Sequence, residues 1–433
     1  MDTGIDVGSV IRGARAAARL TQGQLGAQVG YSPSAISRIE SGELRPGWET
    51  VALIATQLGI PPGQLGLTGD RGPRGAATVD RSAHHSQEDA VLRRELLAGA
   101  AGIGITLAAG APAVAAPGNA PADPAAGLEQ ALFEPAPAAP STLPRLAKGL
   151  GAARADFTAA RYGSLGQHLP ALLGAAEATR DASSGRAREE AHAAVARGYV
   201  LATELAVKQH ADVAWATADR ALTAARASGD PVVLGEAARV LAITMRRAGR
   251  TGAAVDLLRR TAAQLGADQA AEQRAVAATL LMTAAYTAAC NAQRGDALDL
   301  MAGAEEAVRA LPSAGRRALF TVDATTAQAD LYWIGVHNAL GTPDEGVPYA
   351  KRLATAVWPS AERQARAGTD TARMWHQLGD HRRTFAALRS VEQAAPEEVR
   401  RPALRALTAG LLYGPVALPG LREFAQRTGA VPA

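Results

Sequence analysis

Apolar residues recur at helical spacing over most of the chain, and short punctuation marks rather than changes of period separate one run from the next. In the first stretch, Val7 to Arg19 places Val10, Ala14, Ala17 and Ala18 on one face. Thr21 then reads as the N-cap of a short helix, Gln22 to Gln28, which Gly30 ends by supplying a left-handed residue. Ser32 caps a third helix with Pro33 at its first position, where a missing N–H costs nothing, and this run reaches Ser41 before Gly42. Trp48 to Leu58 is amphipathic through Val51, Ile54, Ala55 and Leu58, with Gly59 closing it and Pro61-Pro62 preventing continuation.

From Leu146 the helical pattern is continuous, and glycine or polar turns mark an internal repeat. Gly295 to Pro312, through Ala304 and Ala307, and Gly379 to Pro396, through Leu388 and Val391, both span 17 residues from turn to closing proline. Gly249 leads to Ala254 and Leu258, Gly341 to Ala350 and Leu353, and Gln209 to Ala214, Ala218 and Ala221, while Gly163 opens an earlier, weaker copy. Small residues at these places let two antiparallel helices approach closely, and the pattern resembles tetratricopeptide repeats. The spacings of 46, 40, 46, 46 and 38 from Gly163 to Gly379 depart from that family's period of ~34, so concave-face residues do not transfer by register. The expectation is five or six stacked helical hairpins from about 146 to 413, with Leu421 to Thr428 as a terminal cap.

Between these two parts the composition shifts to Gly, Pro and Ala, with eight prolines in residues 112–144, which predicts a linker. Within it, Arg93-Arg94-Glu95 precedes an uncharged run from Leu96 to Ala111 that continues to Ala122. The string is similar to a twin-arginine export signal or a membrane helix with a positive flank. Its internal position, its alanine and glycine content and its lack of an aromatic belt favour a helix docked on its own protein or on a dimer partner.

Composition narrows the chemistry. The 433 residues, at ~100–200 per domain, make two or three domains, and one cysteine, Cys290, allows no internal disulfide. Three lysines leave 42 arginines beside abundant alanine, and only 4% of residues are aromatic, which favours an all-α fold. His84 and His85 point apart on a helix, His376 and His381 do not share a face, and no metal, phosphate-loop or nucleophile-elbow string occurs. Glu189-Glu190, Glu305-Glu306 and Glu397-Glu398 are adjacent and diverge. No catalytic group, metal site or cofactor is therefore expected, and the chain does not read as an enzyme.

The head carries a motif. Thr21-Gln22-x-x-Leu25-x-x-x-x-Gly30-x-Ser32-x-x-x-Ile36-Ser37-Arg38-x-Glu40-x-Gly42 is two short helices joined through a glycine turn, with Leu25, Val29, Ile36 and Ile39 inward and Pro33, Ser34, Ser37 and Arg38 outward. It resembles the Xre/Cro/CI repressor family over about 58 residues. The resemblance implies a five-helix lambda-repressor-like helix-turn-helix domain that sets its second helix in the major groove of double-stranded DNA. It implies that Gln22 bonds a phosphate, that Ser34, Ser37 and Arg38 read base edges, and that Ser41 and Arg45 touch backbone. Ser32 and Pro33 complete the DNA-facing set, Pro33 offering only apolar contact, and Arg15 and Glu40 match a structural ion pair of the family. Arg12, Arg15, Arg19, Arg38 and Arg45 are balanced by Asp2, Asp6, Glu40, Glu43 and Glu49, so one copy gains little from counterion release and a homodimer on an inverted-repeat operator is expected.

The organisation that follows is 1–66 DNA-binding head, 67–145 linker with an apolar helix near 91–111, and 146–433 tetratricopeptide-like α-solenoid. Polar and aromatic residues in the first helices of the hairpins are candidates for a groove that takes a peptide, small molecule or protein: Arg197, Tyr199, Tyr286, Asn291, Tyr332, His337, Arg373 and Trp375. The whole resembles transcriptional regulators of GC-rich bacteria that join an Xre head to such repeats, which implies a cytoplasmic, nucleoid-associated, dimeric regulator whose solenoid senses and dimerises. Two rivals are a protein-interaction scaffold without a small effector, marked by a stoichiometric partner, and a membrane-tethered DNA-binding protein that needs Leu96 to Ala111 to pellet with membranes.

Overall fold

The computed structural model describes residues 7–61 and 123–431, apart from 30, 32, 43, 45–47, 267–269, 313–318, 322 and 415 and the side chains of 34, 48, 49 and 52. The described residues form helices only.

The head contains α1 (Val7–Ala17), α2 (Gln22–Val29), α3 (Pro33–Glu40) and α4 (Trp48–Leu58). The fifth head helix expected from the resemblance, the left-handed Gly30 and the apolar run Leu96 to Ala111 lie outside the described residues. Thr21 caps α2 reciprocally: its hydroxyl accepts from the Gln24 N–H at 3.1 Å, and the Gln24 side chain accepts from the Thr21 N–H at 2.8 Å. Ile11, Leu25, Ile36, Ile39 and Ile54 form the buried core, each burial worth about 1.5–3 kcal/mol. On α1 the buried pair is Gly8 and Ile11, whereas Val10 and Ala14 are half-buried and Ala17 and Ala18 exposed. The reason is close approach: a Cβ on Gly8 would lie 2.7 Å from the Ile39 carbonyl oxygen, so glycine sets the contact face.

The body begins earlier than its composition suggests. Residues 126–133, inside the stretch read as linker, form α5 (Ala126–Phe133), whose Leu128 and Leu132 are buried against α7. Arg220 anchors this segment by donating to the Leu132 carbonyl at 2.8 Å.

Six antiparallel hairpins follow. They are α6 (Leu143–Thr158) with α7 (Tyr162–Ala182), α8 (Gly185–Gln209) with α9 (Ala214–Ser228), and α10 (Pro231–Arg247) with α11 (Thr251–Gln264). Then come α12 (Ala271–Cys290) with α13 (Arg294–Arg309), α14 (Thr326–Ala339) with α15 (Pro343–Leu353), and α16 (Ala361–Gln377) with α17 (His381–Ala394). A 3₁₀ turn at Glu398–Arg400, α18 (Pro402–Leu412) and α19 (Leu421–Arg427) end the chain. Every hairpin turn places one residue at positive φ: Ala160, His210, Gly249, Ala292, Gly341 and Gly379. Where glycine holds the place the turn is visible in the sequence; where Ala160 and Ala292 hold it the turn is not, so Gly163 and Gly295, taken as turn markers, fall just inside α7 and α13. None of the described helices is long and apolar enough to cross a membrane.

The stack winds far enough that its two ends meet. Leu146, Phe157 and Leu201 share one apolar core with Leu388, Val391, Leu404 and Phe424. A buried ionic cluster closes the seam: Lys208 Nζ lies 2.7 Å from Glu362 and 3.0 Å from Glu398, Tyr162 donates its hydroxyl to Glu398 at 2.6 Å, and Arg401 bonds both Glu398 and the Lys208 carbonyl. Burial alone would raise both carboxyls, but Arg363 and Lys208 beside Glu362, and Arg401 and Lys208 beside Glu398, hold them well below the usual carboxylate range. Burial, reinforced by Glu398, pushes the Tyr162 hydroxyl well up, so it stays a donor.

Candidate DNA-reading helix and ligand chamber

Glu40 organises the α2–α3 half of the head. It is 3% exposed and receives Arg15 Nε at 2.5 Å, Arg15 Nη2 at 2.9 Å and Gln22 Nε2 at 2.9 Å, while Arg12 donates to its carbonyl at 2.7 Å. Burial raises the Glu40 carboxyl, and the hydrogen bonds from Arg15 and Gln22 more than offset it, leaving the group ionised below its ordinary range. Gln22 is thus turned toward Glu40 in this structure rather than outward. On α3, Pro33 and Ser37 are exposed, and Ser41 just beyond is exposed with its hydroxyl on the Arg38 carbonyl at 3.2 Å. Ser32, Arg45 and the side chain of Ser34 lie outside the described residues.

Arg38 does not point into free solvent. Its guanidinium meets the body, with Nη1 3.4 Å from Asp344 at the start of α15 and Nη2 donating to the Gln377 carbonyl at the end of α16 at 3.3 Å. Only 14% of the Arg38 side chain is exposed. From Gln377 a polar chain runs inward: its amide donates to the Asn338 carbonyl at 3.2 Å, and the Asn338 amide donates to the Asp370 carbonyl at 2.9 Å.

Asp370 belongs to a chamber of about 140 Å³ along the axis of the solenoid. Its walls come chiefly from α8, α10, α12, α14 and α16, the first helices of five successive hairpins, with Phe157 and Arg401 at the seam. Helix α8 contributes Glu204 and Lys208, α10 contributes Arg239 and Arg246, and α16 contributes Glu362, Arg363, Arg366 and Asp370. Six cationic side chains thus face three carboxylates, with Glu398 behind Lys208 and Arg401.

Several of these charges neutralise one another. Arg363 pairs with Glu362, and Arg366 with Asp370 at 2.9 Å, which raises both guanidinium pKa values despite burial. Arg239 shares Glu204 with Arg154, at 3.5 and 2.5 Å. Arg239 Nη2 also donates to the Tyr332 hydroxyl at 3.1 Å, and Tyr332 in turn bonds Thr283 at 3.2 Å. Burial pushes Tyr332 up, yet the cationic surroundings, Arg239 first, win and bring its hydroxyl down to about 8. Arg246 lies over the Tyr286 ring at 4.7 Å and donates to Thr287 at 3.2 Å. Cys290 and burial together push Tyr286 up to about 12.

Of the candidate ligand residues, the fold brings Tyr286 and Tyr332 together in the chamber wall. The others stand elsewhere. Arg197 pairs with the buried Glu236 at 3.1 Å, Tyr199 bonds Glu177 and Arg220, and Asn291 caps the end of α12. His337 packs against the rings of Trp333 and Tyr349, which also stack on each other, with Nδ1 3.1 Å from Thr342; Arg373 lies 3.8 Å from Asp370, and Trp375 packs in an apolar cluster under Arg383. The chamber arginines escaped the sequence reading because arginine is everywhere in this chain. One signal was present: Arg239 interrupts the run Ala237-Ala238-Arg239-Val240-Leu241-Ala242, where a charge falls amid buried small and apolar residues. No group of three or more metal-ligating side chains converges among the described residues.

Residues 6–66 match the family model described as Helix-turn-helix domain, so the head is a DNA-binding domain of that kind. No curated protein matches the chain. Among solved structures, Bacillus thuringiensis PlcR in complex with the peptide PapR7 and DNA is similar at 14% identity over 81% of this chain and 96% of that one, with a TM-score of 0.33. A superposition that loose carries no argument about function.

Proposed function

We propose that the chain is a dimeric, sequence-specific transcriptional regulator of the Xre type, whose solenoid takes a ligand, peptide or protein partner and thereby modulates DNA binding. The helix-turn-helix head supports the DNA half of this reading. The observation that carries the regulatory half is Arg38. The guanidinium suited to bidentate contact with guanine rests on Asp344 and Gln377, and it cannot serve a base and the body at once. Ser37, Ser41 and Pro33 remain exposed; Ser34 of the same helix and the neighbouring Ser32 and Arg45 complete the proposed DNA contacts, joined by Gln22 once it leaves Glu40. A partner that binds the body better when Arg38 is released shifts the population toward the DNA-reading form; one with equal affinity for both forms shifts nothing. The head's balanced charge is the reason for proposing two heads on an inverted repeat.

Genome-wide footprinting of the full chain beside an Arg38→Ala, Ser34→Ala variant and an Asp344→Ala variant tests both halves. Discrete inverted-repeat sites lost in the first variant are expected. Asp344→Ala is expected to tighten binding by up to about fivefold, the value of a single weak ion pair at 3.4 Å. Sites that persist unchanged without Arg38 and Ser34 sink the readout, and unchanged affinity in Asp344→Ala sinks the restraint.

A further inference from the structure

The chamber contains more positive charge than its own carboxylates answer. Arg239 is 6% exposed, and its Nε has no hydrogen-bond partner; the Nε of Arg246 is likewise buried and unpartnered. The polar partners of Arg246 reduce to the Thr287 hydroxyl, with the Tyr286 ring beneath it, and no carboxylate lies within ion-pair distance among the described residues. A guanidinium offers five N–H donors and no means of losing its proton, and buried charges are stable only when paired and hydrogen-bonded. Both arginines come from α10, about two helical turns apart and so on one face, and both line the same cavity.

Size limits what fits. At about 10–15 Å³ per water-sized occupant, a chamber of 140 Å³ takes a molecule of about ten non-hydrogen atoms, too few for an extended peptide lying along it. Val207, Val240 and Leu331 supply an apolar wall beside the arginines. We propose that the chamber is a binding site for a small organic anion, a carboxylate or phosphate head on a short apolar body, held by Arg239 and Arg246 with the Tyr332 hydroxyl beside the head. The low pKa of Tyr332 reports the same positive field. The inference rests on the reading of the body as a ligand-binding unit and names the class of ligand. Asp370 joins the site to the polar chain through Asn338 and Gln377 that ends on Arg38, so an occupant that redirects Arg366 acts at one end of that chain.

Calorimetric titration of the full chain without DNA tests it, with octanoate and phenylacetate as carboxylate probes, phenyl phosphate and inorganic phosphate as phosphate probes, and octanamide and phenylacetamide as uncharged controls. At least one organic anion is expected to bind ten times more tightly than inorganic phosphate, and the amides are not expected to compete. The better series identifies the head group. Arg239→Gln and Arg246→Gln are each expected to weaken binding about 10- to 100-fold. If Arg239→Gln unfolds because Glu204 and Tyr332 lose its guanidinium, Arg246→Gln decides, with circular dichroism as the check on its fold. Absence of binding by every organic anion up to about 10 mM, equal competition by the amides, or an unchanged affinity in Arg246→Gln overturns the proposal. Because DNA is absent, such a failure leaves the DNA reading standing, and lost footprints would leave this one standing.

Discussion

Head and body each bury a carboxylate among cations, and they do it over different distances. In the head, Glu40 gathers Arg15, Arg12 and Gln22 from 18 to 28 residues away, and the domain as a whole has no net charge. In the body, Glu398 is joined to Lys208 across 190 residues and to Tyr162 across 236. The head balances its charge locally and leaves Pro33 and Ser37 of α3 exposed beside the docked Arg38, whereas the body uses long-range pairs to shut a seam and leaves surplus charge inside. One region is therefore arranged to present a surface and the other to enclose a volume.

The contrast breaks most sharply at Glu398. Glu398→Ala leaves Arg401 without its carboxylate in a buried seam and Lys208 with Glu362 alone, and a loss of about 3–5 kcal/mol is expected in urea unfolding of the body. A loss below about 1 kcal/mol would mean that the apolar seam alone holds the ends together. Glu40→Ala is expected to cost about 2–3 kcal/mol, because Arg15 and Gln22 lose a charged partner but Arg15 can reach water. Hydrogen exchange should rise over residues 7–58 and stay unchanged in the body; exchange that rises in both would show the two regions to be one folding unit.

Acid sharpens the comparison from the body's side. Burial, with Arg294 nearby, pushes the His337 ring down to about 4 from an ordinary 6.5. The unfolded chain then binds more protons than the folded one between those values, so stability is full above about pH 6.5 and falls as the pH drops toward 4. Between pH 7 and pH 5 this amounts to about 2 kcal/mol, and His337→Gln should remove it from the urea midpoint. An equal decline in the variant would assign the acid sensitivity to other groups.

Much of the head was legible in the sequence because its determinants are neighbours. Trp48–Leu58 appears as a helix with the bounds its pattern sets, and the Thr21 cap needs only Gln24. The hairpins were legible wherever glycine holds the turn, as at Gly249, Gly341 and Gly379, and were displaced where Ala160 or Ala292 does. Tyr286 and Tyr332 stood out in the chamber as rare aromatic residues, but so did Trp375 and His337, which packing claims instead. Arg239 and Arg246 share their residue type with forty others; the apolar run around Arg239 is a local mark of burial, and Arg246 has none. The closure of the ring was illegible for a plainer reason: no periodicity records that residues near 208 will meet residues near 398.

That closure sets how the body can change over time. An open array of helical hairpins adds or drops a unit at little penalty, since each touches only its neighbours, and it melts piecemeal. A ring latched by Lys208 and Glu398 has a fixed circumference. Losing one hairpin would pull the latch apart, and inserting one would push it past its partner. Such a body is expected to melt as a single unit and to evolve by substitution within its helices rather than by gain or loss of repeats.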